Sequence, residues 1–264
     1  EPPEAIEHCR KQYAALVSQC DHSLGRILDM MDNENLWEDT LLIVTTDHGF
    51  LLGEHDWWAF VKPPFYDRVA RKPLFIHDPR APQPGCRRKS LVQTHDLPTT
   101  LLNYFSVDRP ADMQGAVLRE AIATDQPARE AGLFGVFGGH VNVTDGRYVY
   151  MRAPASADNS PLYNYTLMPT HMTRRFGVEE LRTGTEAPPF DFTKGVKVMR
   201  YDGTPFMQQA ADFGHLLFDL ERDPEQKKPI DDPQQEERMK ELLIKEMKSN
   251  DAPAEQFERL GLTP

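Results

Sequence analysis

Cysteine is scarce in this 264-residue chain: only Cys9, Cys20 and Cys86 are present. They are too few for a disulfide framework and contain no C-x-x-C metal pair, so neither a stapled mini-domain nor a zinc knuckle organises the fold. Positive charge is in deficit as well, with 30 Lys and Arg against 41 Asp and Glu and a formal net charge of −11. That balance opposes binding to duplex nucleic acid or an anionic membrane. The one dense basic cluster, Arg87-Arg88-Lys89, is short and reads as a solvated loop. No stretch approaches the roughly 18 apolar residues a spanning helix needs. Glu1 to Lys11 are charged and prolyl, so no leader peptide is expected there. The expectation is a soluble protein, cytoplasmic, or periplasmic or secreted after leader removal, with no nucleic-acid or membrane partner.

Hydrophobic spacing is informative where composition is not. From Ala5 to Met31, apolar residues recur at helical intervals (Ile6, Tyr13, Leu16, Val17, Leu24, Ile27), predicting a long amphipathic helix. Thr40 to Thr46 is continuously apolar or β-branched, the pattern of a strand covered on both faces in a parallel sheet. A second short strand is expected at Leu74 to His77. A helix is expected through Leu97, Leu101 and Phe105, with Thr94 or Asp96 as its cap and Pro98 in the first turn. Beyond about residue 108 the texture changes to glycine, proline and short alternating runs. Asp145-Gly146 between Phe134–Val143 and Arg147–Arg152 is a hairpin signal. Leu216 to Leu220 reads as a strand, Glu221 to Pro224 as a turn, Glu236 to Lys248 as a charged surface helix, and 153–210 as proline-punctuated loop. The fold class expected is α/β over residues 1–115, followed by a smaller α+β domain with an antiparallel sheet over 116–264.

The segment Thr45-Thr-Asp-His-Gly49 places two metal-competent side chains at the carboxyl end of a buried strand, where open α/β sheets build ligand sites. Adjacent strand residues point to opposite faces, so Asp47 and His48 can converge only if the chain leaves the strand there, which Gly49 permits. An Asp oxygen and a neutral His nitrogen suit Mn or Zn, and less often Ca or Mg. The other reading of the same residues has Asp47 capping a helix and His48 partly buried.

The longer stretch Thr46-Asp-His-Gly-Phe-Leu-Leu-Gly-Glu-His-Asp-Trp-Trp58 resembles the metal-binding segment of the sulfatase family, within the alkaline-phosphatase superfamily. Leu74 to Arg80, Gln93 to Leu102, Ala111 to Gly115 and Leu217 to Pro224 extend the resemblance over the chain, as the C-terminal half of a sulfatase. It implies an alkaline-phosphatase-like mixed sheet with flanking helices, present in part, and a smaller domain framing the cleft. It implies hydrolysis of a small-molecule sulfate monoester, with a divalent cation, usually Ca, held in part by Asp47 and His48. The family's nucleophile is a formylglycine made in a C/S-x-P-x-R motif. No cysteine here is followed by the required Pro and Arg, and Ser160-Pro161 has the wrong spacing. The nucleophile is therefore expected outside this chain, which alone should be inactive and should associate with that missing half or with itself.

The family's sulfate-contacting lysine is expected shortly after the tryptophans. Phe60 holds that place and Lys62 lies two residues on, so Lys62 is either its replacement or a solvated loop charge. His55 either supports the pocket or is a structural histidine, and Trp57 and Trp58 are either pocket wall or core. His140 and His171 could reach substrate from the smaller domain. Two other functions fit the pattern: hydrolysis of phosphate or phosphonate esters at the same site, and a non-catalytic binding module retaining a sulfatase-like surface.

Overall fold

A computed structural model describes residues 2–60, 64–81, 85–171, 174–205 and 210–264. The chain opens with helix α1 (Pro3–Asn33), its proline in the first turn where no backbone donor is lost. The helix is as the spacing predicts, but its apolar stripe is not buried: Tyr13, Leu16, Val17, Ile27 and Met30 are exposed and only Met31 is in the core. Strand β1 (Leu42–Thr45) follows, then the two-residue strands β2 (Leu51–Leu52) and β3 (Trp58–Ala59), which pair with each other. Next come the single-turn helix α2 (Asp67–Ala70), strand β4 (Leu74–His77), α3 (Asp96–Tyr104) and α4 (Arg119–Thr124).

Two expectations for this part are corrected. Among the described residues β1 pairs only with β4, and antiparallel, Leu42 opposite His77 through Thr45 opposite Leu74. Its residues are half-buried at best. An apolar run signals that a strand is to be covered, and says nothing of its neighbour's direction. The cap of α3 is also different. His95 takes the N-cap position, and the buried Asp96 carboxylate instead accepts from the backbone N–H groups of Gln93 (2.7 Å) and Ala116 (2.8 Å) and pairs with Arg129. Within the basic cluster, Arg88 donates to the Ile122 and Ala123 carbonyls (2.8 and 2.9 Å), satisfying the open C-terminal turn of α4 rather than standing in solvent.

The second half contains strands β5 (Gly132–Gly135), β6 (Val141–Thr144), β7 (Tyr148–Arg152) and β8 (Tyr163–Thr166), helix α5 (Val178–Arg182), β9 (Thr185–Ala187), β10 (Val198–Asp202) and β11 (Leu216–Asp219), and helices α6 (Pro233–Ser249) and α7 (Ala254–Arg259). Four strands form an antiparallel sheet in the order β11-β7-β6-β5. The β6–β7 hairpin turns where Asp-Gly predicts it: Gly146 has φ +93°, and Asp145 Oδ1 accepts from the N–H groups of Arg147 (2.9 Å) and Tyr148 (2.7 Å). The run Phe134 to Val143 is broken by a turn at 136–140, so it supplies two strands rather than one.

Residues 153–210 are not merely loop. They build a second antiparallel sheet, β8-β10-β9, whose strands carry no clean alternation and are separated by loop and helix, so no local pattern marks them.

Alternation explains how the four-stranded sheet is covered on both faces. Val143, Tyr150 and Leu217 face helix α6, whose Met239, Leu242, Leu243 and Met247 complete that core with Phe257 and Leu260. The helix read as a charged surface element thus contributes a buried stripe, and its N-cap Asp232 accepts from Gln235 N–H (3.0 Å). Val149, Met151 and Phe218 face the other way, against Leu51, Tyr66 and Val69. The loop after β1 is therefore built onto the C-terminal sheet. No helix among the described residues is long and apolar enough to cross a membrane.

Candidate functional site

Asp47 and His48 follow β1 directly, and the chain has left the strand by that point. The His48 backbone N–H donates to Asp47 Oδ1 (2.9 Å), with the Thr46 hydroxyl at 3.2 Å from the same oxygen. Those contacts occupy one carboxylate oxygen and leave the other turned toward the imidazole: Asp47 Oδ2 lies 3.6 Å from His48 Nε2. The bond from the His48 N–H holds the Asp47 carboxyl below the usual carboxylate range, so it stays ionised through neutral pH.

His48 Nδ1 lies 2.9 Å from the Gly49 carbonyl oxygen. A carbonyl only accepts, so Nδ1 is the donor there, and in the neutral imidazole this leaves the Nε2 lone pair toward Asp47, the tautomer for a metal bound through Nε2. The exposed carboxylate oxygen and this nitrogen are close enough to share one cation with bonds of about 2.0–2.5 Å. They are two donors, and among the described residues no cluster of three or more His, Cys, Asp or Glu side chains surrounds them.

Gly49 is required by a close approach. A Cβ there would lie 1.9 Å from the Arg68 carbonyl oxygen, because Gly49 N–H donates to Val69 O (2.8 Å) and draws the loop onto α2. Helix α2 is tied in turn to the C-terminal part, where Gln226 Oε1 accepts from Asp67 N–H (2.5 Å) and Arg68 faces Glu225 (3.6 Å). Phe60, which stands where the family pattern expects lysine, stacks on the His48 ring with centroids 3.7 Å apart and planes 24° apart. It fixes the imidazole plane, a role with no signature in the sequence.

The other candidates are dispersed. Lys62 lies outside the described residues. His55 adopts a left-handed backbone (φ +55°) and stacks on the buried Tyr66 at 3.7 Å with planes 4° apart; burial depresses its pKa. Tyr66 meets Phe218 edge-on at 6.4 Å, so His55 joins the loop to the C-terminal core. Trp57 packs at the margin of that core and Trp58 is half-buried in β3. His140 is 2% exposed with Nε2 against the Gly214 carbonyl (3.0 Å), and burial lowers its pKa. His171 is in a different setting: its Nε2 lies 2.7 Å from Glu180 Oε1, in a cleft it shares with Arg174. The structure thus brings Asp47 and His48 together, and puts His171 with partners the sequence pattern did not point to.

Residues 3–107 match the sulfatase family model. The chain is 32% identical over 115 residues to an N-acetylglucosamine-6-O-sulfatase of Bacteroides thetaiotaomicron, covering 44% of this chain and 20% of that protein. It is 28% identical over 122 residues to an arylsulfatase of Clostridium perfringens, covering 45% of this chain and 25% of the relative. The solved structure of BT4656 in complex with its substrate D-glucosamine-2-N,6-O-disulfate superposes with a TM-score of 0.61 at 18% identity, over 90% of this chain and 40% of that one. The architecture is the alkaline-phosphatase-like fold of the sulfatases. The chain spans about a fifth to a quarter of the length of these curated relatives.

Proposed function

Starting from a chain whose residues 3–107 form a sulfatase-family segment, we propose that it is the C-terminal portion of a metal-dependent sulfate monoester hydrolase. The observation that carries this reading is the convergence of Asp47 Oδ2 and His48 Nε2 at 3.6 Å, with the imidazole tautomer set by the Gly49 carbonyl. Asp47 and His48 would hold a divalent cation, Ca by family habit and Mn, Mg or Zn by donor chemistry, with further ligands supplied from outside this chain. The bound ion would neutralise charge developing on the ester oxygens. Asp47 provides the negative charge, His48 a neutral nitrogen held in plane by Phe60, and the Gly49 approach to α2 keeps the pair at one position.

The nucleophile, a formylglycine in the family, would likewise come from outside, since no C/S-x-P-x-R motif is present. Two unfinished surfaces support that incompleteness. The β1–β4 ladder has no third strand among the described residues, and both Phe75 on β4, 68% exposed, and the apolar stripe of α1 stand uncovered.

The imidazole donor favours one other reading, a phosphate or phosphonate ester as substrate, because Mn and Zn accept nitrogen more readily than Ca does. The test uses the full-length protein with p-nitrophenyl sulfate and p-nitrophenyl phosphonate in parallel, with Ca and Mn titrated by calorimetry. Asp47→Asn is expected to lower kcat/KM for the sulfate ester by about 10²–10³ and to weaken cation binding. Full activity in that variant would sink the proposal. Preferential turnover of the phosphonate would move the substrate class while keeping the site.

A further inference from the structure

We propose that Tyr13 and Phe50 are positioning residues for His48: through Phe60 they fix the plane in which the imidazole offers Nε2 to a cation, so that cation binding is coupled to the seating of helix α1. The inference rests on the metal-site reading of Asp47 and His48 and extends it to side chains that act through another ring.

The His48 backbone is placed by its neighbour, since Gly49 N–H donates to Val69 O (2.8 Å), but a fixed backbone leaves the ring its side-chain torsions. Two contacts restrain those. Nδ1 lies 2.9 Å from the Gly49 carbonyl oxygen, and the Phe60 ring stacks on the imidazole at 3.7 Å. The orientation of His48 therefore depends on what holds Phe60.

Phe60 lies just beyond β3, after Ala59, whose left-handed backbone (φ +72°) ends the alternation of the strand. The pleat does not aim its ring. The β2–β3 register, Leu52 opposite Trp58 and Leu51 opposite Ala59, continues to Phe50 opposite Phe60, and the two rings meet at 6.3 Å with planes 51° apart. Leu51 is in the core, so by alternation Phe50 points away from it, and there Tyr13 of α1 stacks on it at 6.0 Å with planes 26° apart. Aromatic pairs at these separations attract in an orientation-dependent way, beyond the area they bury.

Helix α1 meets this hairpin along one stripe. Arg10 Nε donates to Leu52 O (2.9 Å), and a Cβ on Gly53 would lie 3.3 Å from Ile6 Cγ2. Residues 6, 10 and 13 recur at i, i+4 and i+7, the spacing of a single helical face. Every residue of α1 from Glu7 to Ser23 is exposed, so the helix rests here on few contacts and this footing locates it. Tyr13 (40% exposed) and Phe50 (38%) are not core residues; what they contribute is the transfer of the helix position onto Phe60. The core around Leu51 and Val69 also packs on Phe60, so losing either outer ring has a graded effect rather than a complete one.

The experiment uses the full-length protein, with Ca and Mn titrated by calorimetry and with 3-fluorotyrosine incorporated for fluorine NMR, the Tyr13 signal being assigned by its absence from Tyr13→Phe. Phe50→Leu and Tyr13→Leu, which keep apolar bulk and remove the ring, are each expected to weaken cation binding about three- to tenfold, and Phe60→Leu by at least as much. Phe50→Tyr and Tyr13→Phe, which keep the ring, should bind as the parent does. Because coupling is reciprocal, saturating Ca should move the Tyr13 fluorine signal although two rings stand between Tyr13 and His48. Binding unchanged in both leucine variants, or a Tyr13 signal that stays in place at saturation, would overturn the proposal, and the fluorine measurement decides if a leucine variant does not fold. Asp47→Asn keeps the two readings apart. Binding lost there but retained in the leucine variants removes the positioning role and keeps the metal site, whereas binding undiminished in Asp47→Asn removes both.

Discussion

One added methyl group, placed at three glycines, separates the effects that hold the Asp47–His48 segment in position. At Gly49 the new Cβ would stand 1.9 Å from the Arg68 carbonyl oxygen, about 1.5 Å inside ordinary van der Waals contact. Both atoms belong to backbone: the loop is held by Gly49 N–H to Val69 O, and α2 is anchored on Leu51, Tyr66 and Val69 in the core. Neither side can yield by a rotamer change, so Gly49→Ala is expected to cost about 2–3 kcal/mol or more, as overpacking does. For a chain of this size that lowers Tm by roughly 5–10 °C. Gly25 is a contrast: it lies inside α1 with nothing within 4 Å of its Cβ position, so Gly25→Ala should stabilise by about 0.5–1 kcal/mol through helix propensity. Gly146 also has open space but a φ of +93°, so its alanine variant should lose about 1–2 kcal/mol through backbone strain alone. Differential scanning calorimetry of the three variants tests the argument. A Gly49→Ala protein melting within 1 °C of the parent, or three variants that shift alike, would refute the claim that backbone contact dictates that glycine.

Asp219, buried at the end of β11, accepts from Arg147 Nη2 (2.9 Å) and from Glu221 N–H (3.0 Å), and the Arg147 bond holds its carboxyl below the usual value of 3.8. A depressed folded-state pKa means stability fully present above pH 3.8 and lost as pH falls through the lower folded value. Asp219→Asn is therefore expected to lower Tm at pH 7, with the gap closing below pH 3.8 in a series of thermal melts; a gap constant to the acid limit would contradict it. The 264-residue chain alone should show no aryl-sulfate turnover and should sediment as a self-associated species, because α1 and β4 expose apolar surface. Robust turnover, or a clean monomer in analytical ultracentrifugation, would count against the incompleteness argued above.

What was legible from the residues is what local rules govern. The 3.6-residue spacing of α1, the β-branched run of β1, the Asp-Gly hairpin and the Asp-His pair before Gly49 each rest on neighbours a few positions apart, and backbone geometry alone makes those patterns readable. The same rules give no direction for β1 pairing with β4 and do not mark β8, β9 and β10, whose ladder joins positions far apart in the chain. Likewise the sequence names Asp47 and His48 only as candidate donors, and it is the fold that turns Oδ2 toward Nε2, sets Gly49 O against Nδ1 and lays Phe60 on the ring. Nor could any local pattern have seated Leu51, Tyr66 and Val69 on the far face of the C-terminal sheet, or gathered Phe137, His171 and Asp202 around one cleft. Residue chemistry and short-range periodicity were settled by the order of amino acids as read; convergence of side chains was decided by packing, since a contact between distant segments depends on the whole core that brings them together.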